Sequence, residues 1–120
     1  MKITCTKNNL KKALTLTSKI IGSVSSLPIL NNALLKAESG QLLISTTNLE
    51  MAVKAIVGGQ IEEGGQITVP ARTLADYINN LNEEKITLST KGTDLFIKTP
   101  QTESVLKGLP AEEFPLIPEI

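Results

Sequence analysis

The feature that most limits the fold of this chain is a doubled order of patterns: strand, helix and three strands, then the same again. Lys2 to Thr6 alternates, with Ile3 and Cys5 on one face. Leu10, Ala13, Leu14, Thr17 and Ile21 recur at spacings of three and four, the stripe of an amphipathic helix. Thr6 stands where its hydroxyl can cap the helix start, and Gly22 where it can end the helix. Asn8, Lys11, Lys12, Thr15 and Lys19 fall on the opposite face. The polar loop Ser23-Val24-Ser25-Ser26 follows, and Pro28 blocks a return to helix. Three strands are then predicted: Ile29 to Glu38, Gln41 to Thr46, and the alternating run Met51 to Val57. Ser39-Gly40 supplies a turn between the first two.

The order restarts beyond Gly58-Gly59 and Gly64-Gly65, which are predicted to bracket a loop. Gln66 to Val69 reads as a short strand, and Pro70 is tolerated at the first turn of a helix. Leu74, Tyr77, Ile78 and Leu81 give that second helix its apolar stripe. Lys85 to Thr90, Asp94 to Thr99 and Thr102 to Gly108 read as strands, separated by Lys91-Gly92 and Pro100-Gln101. Two amphipathic helices and about eight strands predict an α+β fold, with the helices packed on antiparallel sheets. A length of 120 residues suits one domain. Residues 1–109 are expected to form it. Residues 110–120, with Pro110, Pro115 and Pro118, are expected to be a tail or the start of a linker to a second domain absent from this chain.

Residue types exclude most chemistry. There is no histidine, and Cys5 is the only cysteine, so neither a Cys-His nucleophile nor a cysteine metal cage can form. Glu62-Glu63, Glu83-Glu84 and Glu112-Glu113 are adjacent pairs expected in loops or turns, where sequence neighbours do not converge as a catalytic dyad. The glycine pairs are not followed by the Lys-Ser/Thr of a phosphate loop. No catalytic residue, metal or cofactor is expected. A lone thiol suits a reducing cytoplasm, and no apolar run approaches the roughly 20 residues of a membrane-spanning helix. Tyr77, Phe96 and Phe114 are the only aromatics, which argues against base stacking as a binding mode.

Charge is balanced overall but not along the chain. Residues 1–37 hold Lys2, Lys7, Lys11, Lys12, Lys19 and Lys36 and no acid, whereas residues 38–120 hold the other six bases and all twelve acids. Such asymmetry fits either a solvated lysine face or a surface that meets a polyanion.

Five short segments then suggest a family. Met1-Lys2-Ile3, Leu27-Pro28-Ile29-Leu30-Asn31-Asn32, Thr47-Asn48-Leu49-Glu50-Met51, Val69-Pro70-Ala71-Arg72 and Leu109-Pro110-Ala111-Glu112-Glu113-Phe114-Pro115 fall in this order across nearly the whole chain. Together they resemble the first domain of bacterial sliding clamps, the DNA polymerase III beta subunit family. The resemblance implies a DNA-clamp fold in which three like domains make a subunit and two subunits close head to tail into a ring. It implies a non-catalytic processivity factor, with duplex DNA inside the ring and the helices facing it.

Carried onto this sequence, the DNA-facing candidates are Lys7, Lys11, Lys12, Lys19, Arg72 and Asn79. Contacts would be non-specific and made to phosphates. Gly22 to Ser26 holds no base, where family members can carry one that meets DNA. The subunit-interface candidates are Thr73, Gln101, Glu103, Ser104 and Leu106. Polymerase and clamp loader would engage through domains absent here. The alternative is a protein-interaction module that exposes Thr102 to Lys107 as an edge strand, without DNA binding. Helices lying side by side, with the lysines on their shared surface, would favour the clamp.

Overall fold

A computed structural model describes residues 1–21 and 28–115. The expected Gly22 helix stop, the loop Ser23–Ser26 and the tail beyond Pro115 lie outside the described residues. Strands β1 (Lys2–Thr6), β2 (Asn32–Glu38), β3 (Gln41–Thr47), β4 (Ala52–Gly58), β5 (Gln60–Glu63), β6 (Gly65–Pro70), β7 (Lys85–Lys91), β8 (Asp94–Lys98) and β9 (Glu103–Lys107) join helices α1 (Lys7–Ser18) and α2 (Ala71–Asn79). The strands form two antiparallel sheets, ordered β5-β1-β7-β8-β9 and β4-β3-β2-β6.

The doubled order is real, and its halves are interlocked. β1, which opens the first half, lies in the sheet of β7, β8 and β9; β6, which opens the second, lies beside β2. Each half lends its first strand to the other's sheet. One core results, with Ile3, Leu10, Leu14, Leu35, Ile44, Leu74, Ile78 and Leu88 all fully buried. α1 packs on α2, β1, β3 and β4, and α2 on β2 and β6.

Local chemistry explains most boundaries. The Thr6 hydroxyl accepts from the Asn9 amide at 3.4 Å, capping α1 as expected. Ser39 and Gly40 both adopt positive φ, the conformation of a tight two-residue hairpin turn. In the Thr47–Met51 segment, the Asn48 side-chain oxygen accepts from the amides of Glu50 and Met51, folding a compact turn between β3 and β4.

Four expectations are corrected. α1 ends at Ser18 rather than near Ile21; Ile21 is still buried, but from a turn whose amide donates to Ser18. Pro28–Asn31 is a 3-10 turn rather than the start of a strand, because proline needs no amide partner at the head of such a turn. The glycine pairs do not bracket a loop: between them runs β5, a ninth strand paired with β1. Finally, Glu62 and Glu63 lie on β5 rather than in a loop, whereas Glu112 and Glu113 do sit in a turn, the 3-10 turn Ala111–Glu113. The β5 pair offsets β1 charge, with Glu62 3.4 Å from Lys2 Nζ and Glu63 3.7 Å from the Met1 amino group.

Cys5 is buried on β1, and burial pushes its thiol up from 9.0 to about 11. The folded thiol therefore keeps its proton where an unfolded one loses it. This contribution to stability is complete below about pH 9 and is lost as pH rises from about 9 to about 11. Urea unfolding at pH 8 and pH 10.5 tests this: Cys5→Ala should flatten part of the alkaline decline, and an identical decline in both proteins contradicts it.

Candidate nucleic-acid interface

The two helices form a paired layer. Lys7, which opens α1, donates its Nζ to the carbonyl oxygen of Leu81, just past the end of α2. Arg72, near the start of α2, donates its guanidinium to the carbonyl oxygen of Ile21, just past the end of α1. The helices therefore run antiparallel, each tied to the tail of the other by a cation. Both acceptors lie in the turn that follows a helix, close to the end that carries partial negative charge.

These two ties separate the six DNA-facing candidates. Lys7 is half-buried with its ammonium on the Leu81 carbonyl; Arg72 is exposed as a residue, with its guanidinium engaged at Ile21. Lys11, Lys12 and Lys19 are exposed, and none is ion-paired among the described residues. The periodicity of α1 explains their grouping. Leu10, Ala13, Leu14 and Thr17 face the core. Asn8, Lys11, Lys12, Thr15 and Lys19 then fall within roughly 100° of one another on the opposite side. Lys19 is the C-cap residue of α1, where a cation also complements the helix end.

On α2, Asn79 and Arg72 fall on the flank nearer α1, and Asp76 shares the exposed face. The acid makes this half of the surface mixed. Along the other flank of α1, Asn9, Lys12, Leu16, Lys54 and Ile56 border a hollow of about 480 Å³ against β4. Lys54 was not among the sequence candidates; no local signal connects a strand lysine to α1.

The subunit-interface candidates divide between two faces of an open edge. β9 is the outer strand of its sheet, as expected for Thr102 to Lys107. Ser104 and Leu106 point towards the core side, opposite buried Ile97 and Leu95. Tyr77 binds Ser104 by a hydrogen bond between their hydroxyls, joining α2 to this edge. Thr73 lies one turn before Tyr77 on the same flank and is exposed. Glu103 faces the other way, opposite Lys98, and Gln101 sits exposed in the turn built on the Thr99 hydroxyl. The edge also exposes half of Val105.

Comparison with known proteins places this architecture. The family model described as DNA polymerase III beta subunit, N-terminal domain, matches residues 1–118. The beta sliding clamp of Vibrio cholerae is 38% identical over 119 residues, covering 98% of this chain and 32% of that protein. That of Synechococcus elongatus is 31% identical over 121 residues, covering 98% and 32% respectively. The Caulobacter crescentus DNA polymerase sliding clamp superposes with a TM-score of 0.94 at 34% identity, over 99% of this chain and 33% of the other. The Thermotoga maritima DNA polymerase III beta subunit superposes with a TM-score of 0.90 at 32% identity, over 99% and 33%. The chain thus spans about a third of the length of these relatives. With a family model matched across nearly every residue, and two helices on two antiparallel sheets in the same arrangement, this chain belongs to the DNA polymerase III beta subunit family as its N-terminal domain.

Proposed function

We propose that the chain is one domain, the expected 1–109 body extended by the packed segment that buries Phe114, of a cytoplasmic non-catalytic ring that encircles duplex DNA and slides along it. The observation that carries this is the antiparallel helix pair with Lys11, Lys12 and Lys19, none ion-paired among the described residues, on the outward face of an α1 that holds no acid. Enclosure needs no tight base contact. A lining of flexible point charges attracts phosphates without fixing register, and lysine suits this better than a bidentate fork. The ties at Lys7 and Arg72 support a scaffold role for those two cations ahead of a direct phosphate contact. The α2 flank and β9 edge, with Thr73, Gln101, Glu103, Ser104 and Leu106, would meet the neighbouring subunit of a head-to-tail ring. The exposed edge favouring the interaction-module reading thus serves the same assembly. Polymerase and clamp loader would bind through parts of the ring outside this chain.

Anisotropy of a labelled short duplex, read at low salt and then across a salt series, tests the DNA face. Replacing Lys11, Lys12 and Lys19 together by glutamate should weaken binding and flatten the slope of log affinity against log salt by about 2 to 3. Equal affinity and equal slope in the two proteins would remove these lysines from the interface.

A further inference from the structure

A second hollow lies on the outward face of the four-stranded sheet; α1 and α2 contribute no lining residue to it, although Lys54 at the β4 edge also borders the hollow beside α1. The register places Lys54, Ser45, Leu34 and Thr68 in one row across β4, β3, β2 and β6, and Ile56, Leu43, Lys36 and Gln66 in the next. Their neighbours along each strand, such as Leu35, Ile44, Val57 and Ile67, are buried on the helix side. A sheet face turned to water ordinarily carries polar residues. Here it carries Leu34 and Leu43, both half-buried, and Ile56, which is 62% exposed.

The chain after β9 builds a wall beside this face. Leu109 exchanges backbone hydrogen bonds with Thr68 at 2.9 and 3.1 Å, and the Gly108 amide donates to Thr93 at 2.8 Å. The segment then turns through Ala111–Glu113, and Phe114 is buried. Between wall and sheet remains a hollow of about 560 Å³, floored by Leu34, Leu43 and Ser45 and walled by Phe114 and Pro115. That volume lies within the range of small-ligand sites and suits two or three side chains.

The hollow is electrically polarised. Lys54 stands on β4 with no ion-pair partner among the described residues, and Lys36 has only a solvent-exposed pairing with Glu38 at 3.6 Å. Glu112 lies on the opposite rim, beside β6 and roughly 14 Å from β4 by strand spacing. An occupant must therefore lay apolar groups over Leu34, Leu43 and Phe114 and direct a negative group to the β4 side.

We propose that this hollow is a docking site for a short peptide segment of a partner protein, with bulky apolar side chains and a carboxylate at the end nearest β4. The hollow takes no lining residue from α1 or α2 and shares only Lys54 with the hollow beside α1, so its occupation does not require DNA.

The test is a ¹⁵N-resolved NMR titration of the chain with acetyl-Phe-Leu-Glu amide, acetyl-Phe-Leu-Lys amide and acetyl-Gly-Ser-Glu amide. The first should shift amides of β2, β3, β4 and residues 111–115 while leaving α1 and α2 unmoved. The other two should bind about tenfold more weakly, one lacking the charge match and one the apolar groups. Lys54→Glu, an exposed change that leaves the fold intact, should reverse the preference between the two Phe-Leu peptides. Equal binding of all three peptides, or shifts confined to the helices, overturns the proposal. So does binding that appears only after residues 116–120 are removed, which makes the chain's own tail the occupant. Slower diffusion at high protein concentration, with the same amides shifting in the absence of peptide, assigns the hollow to a second copy instead.

Discussion

Gly59→Ala is expected to destabilise the fold by about 3 kcal/mol, lowering the thermal midpoint by roughly 10 °C, while Gly58→Ala next to it stays within about 0.5 kcal/mol of the parent. A Cβ on Gly59 would stand 2.5 Å from the Thr4 carbonyl oxygen and 3.3 Å from both Cys5 Cβ and Ile3 Cδ1. The nearest of these is a backbone atom of β1. β1 is held on both sides, by β5 through Thr4↔Gln60 and by β7 through Thr4↔Thr87. No rotamer change relieves such a contact; one of the two ladders must move. A Cβ on Gly58 meets nothing within 4 Å. Urea unfolding of the two variants measures the difference. Similar losses at both positions would show that flexibility, and not the approach of β1, is what the glycine supplies.

The same glycine shows why parts of this fold were hidden. In the sequence Gly58-Gly59 and Gly64-Gly65 read as loop punctuation. In the structure the chain crosses at Gly59 from the four-stranded sheet to the five-stranded one, and at Gly64 it crosses back. The surface that excludes a side chain at Gly59 belongs to β1, some fifty residues earlier, so no local pattern reports it. β5 was missed for a related reason. Gln60-Ile61-Glu62-Glu63 holds one apolar residue and no alternation, and becomes a strand because β1 offers an edge and Lys2 a counter-charge to Glu62.

By contrast, α1 was legible almost to its end. Its apolar spacing and Thr6 cap are local signals, and the structure reproduces both. The outward grouping of Lys11, Lys12 and Lys19 follows from that periodicity alone. The employment of Lys7 and Arg72 does not, since their acceptors are 74 and 51 residues away. Periodicity groups these lysines on one side of α1 but carries no information on which cations are engaged elsewhere in the fold.

Leu14→Ala separates the scaffold from the charges it displays. Leu14 is fully buried on the core face of α1, while Leu16, two positions on, is 55% exposed beside β4. Truncating Leu14 removes buried methyl groups and leaves a cavity between α1 and the sheets, at a cost of about 3 kcal/mol. Leu16→Ala should cost about 1 kcal/mol, since more than half of its surface stays in water and no enclosed cavity is left behind. Thermal unfolding followed by circular dichroism reads both values. Well below its lowered midpoint, the Leu14→Ala chain still presents Lys11, Lys12 and Lys19 on an intact α1. Its DNA binding should therefore keep the parental salt slope, because the number of phosphates neutralised has not changed. A slope that falls along with stability would mean the lysines act only when α1 is rigidly seated. An unaltered midpoint would mean that Leu14 does not anchor the helix, and the physical basis for placing the three lysines on one outward face would go with it.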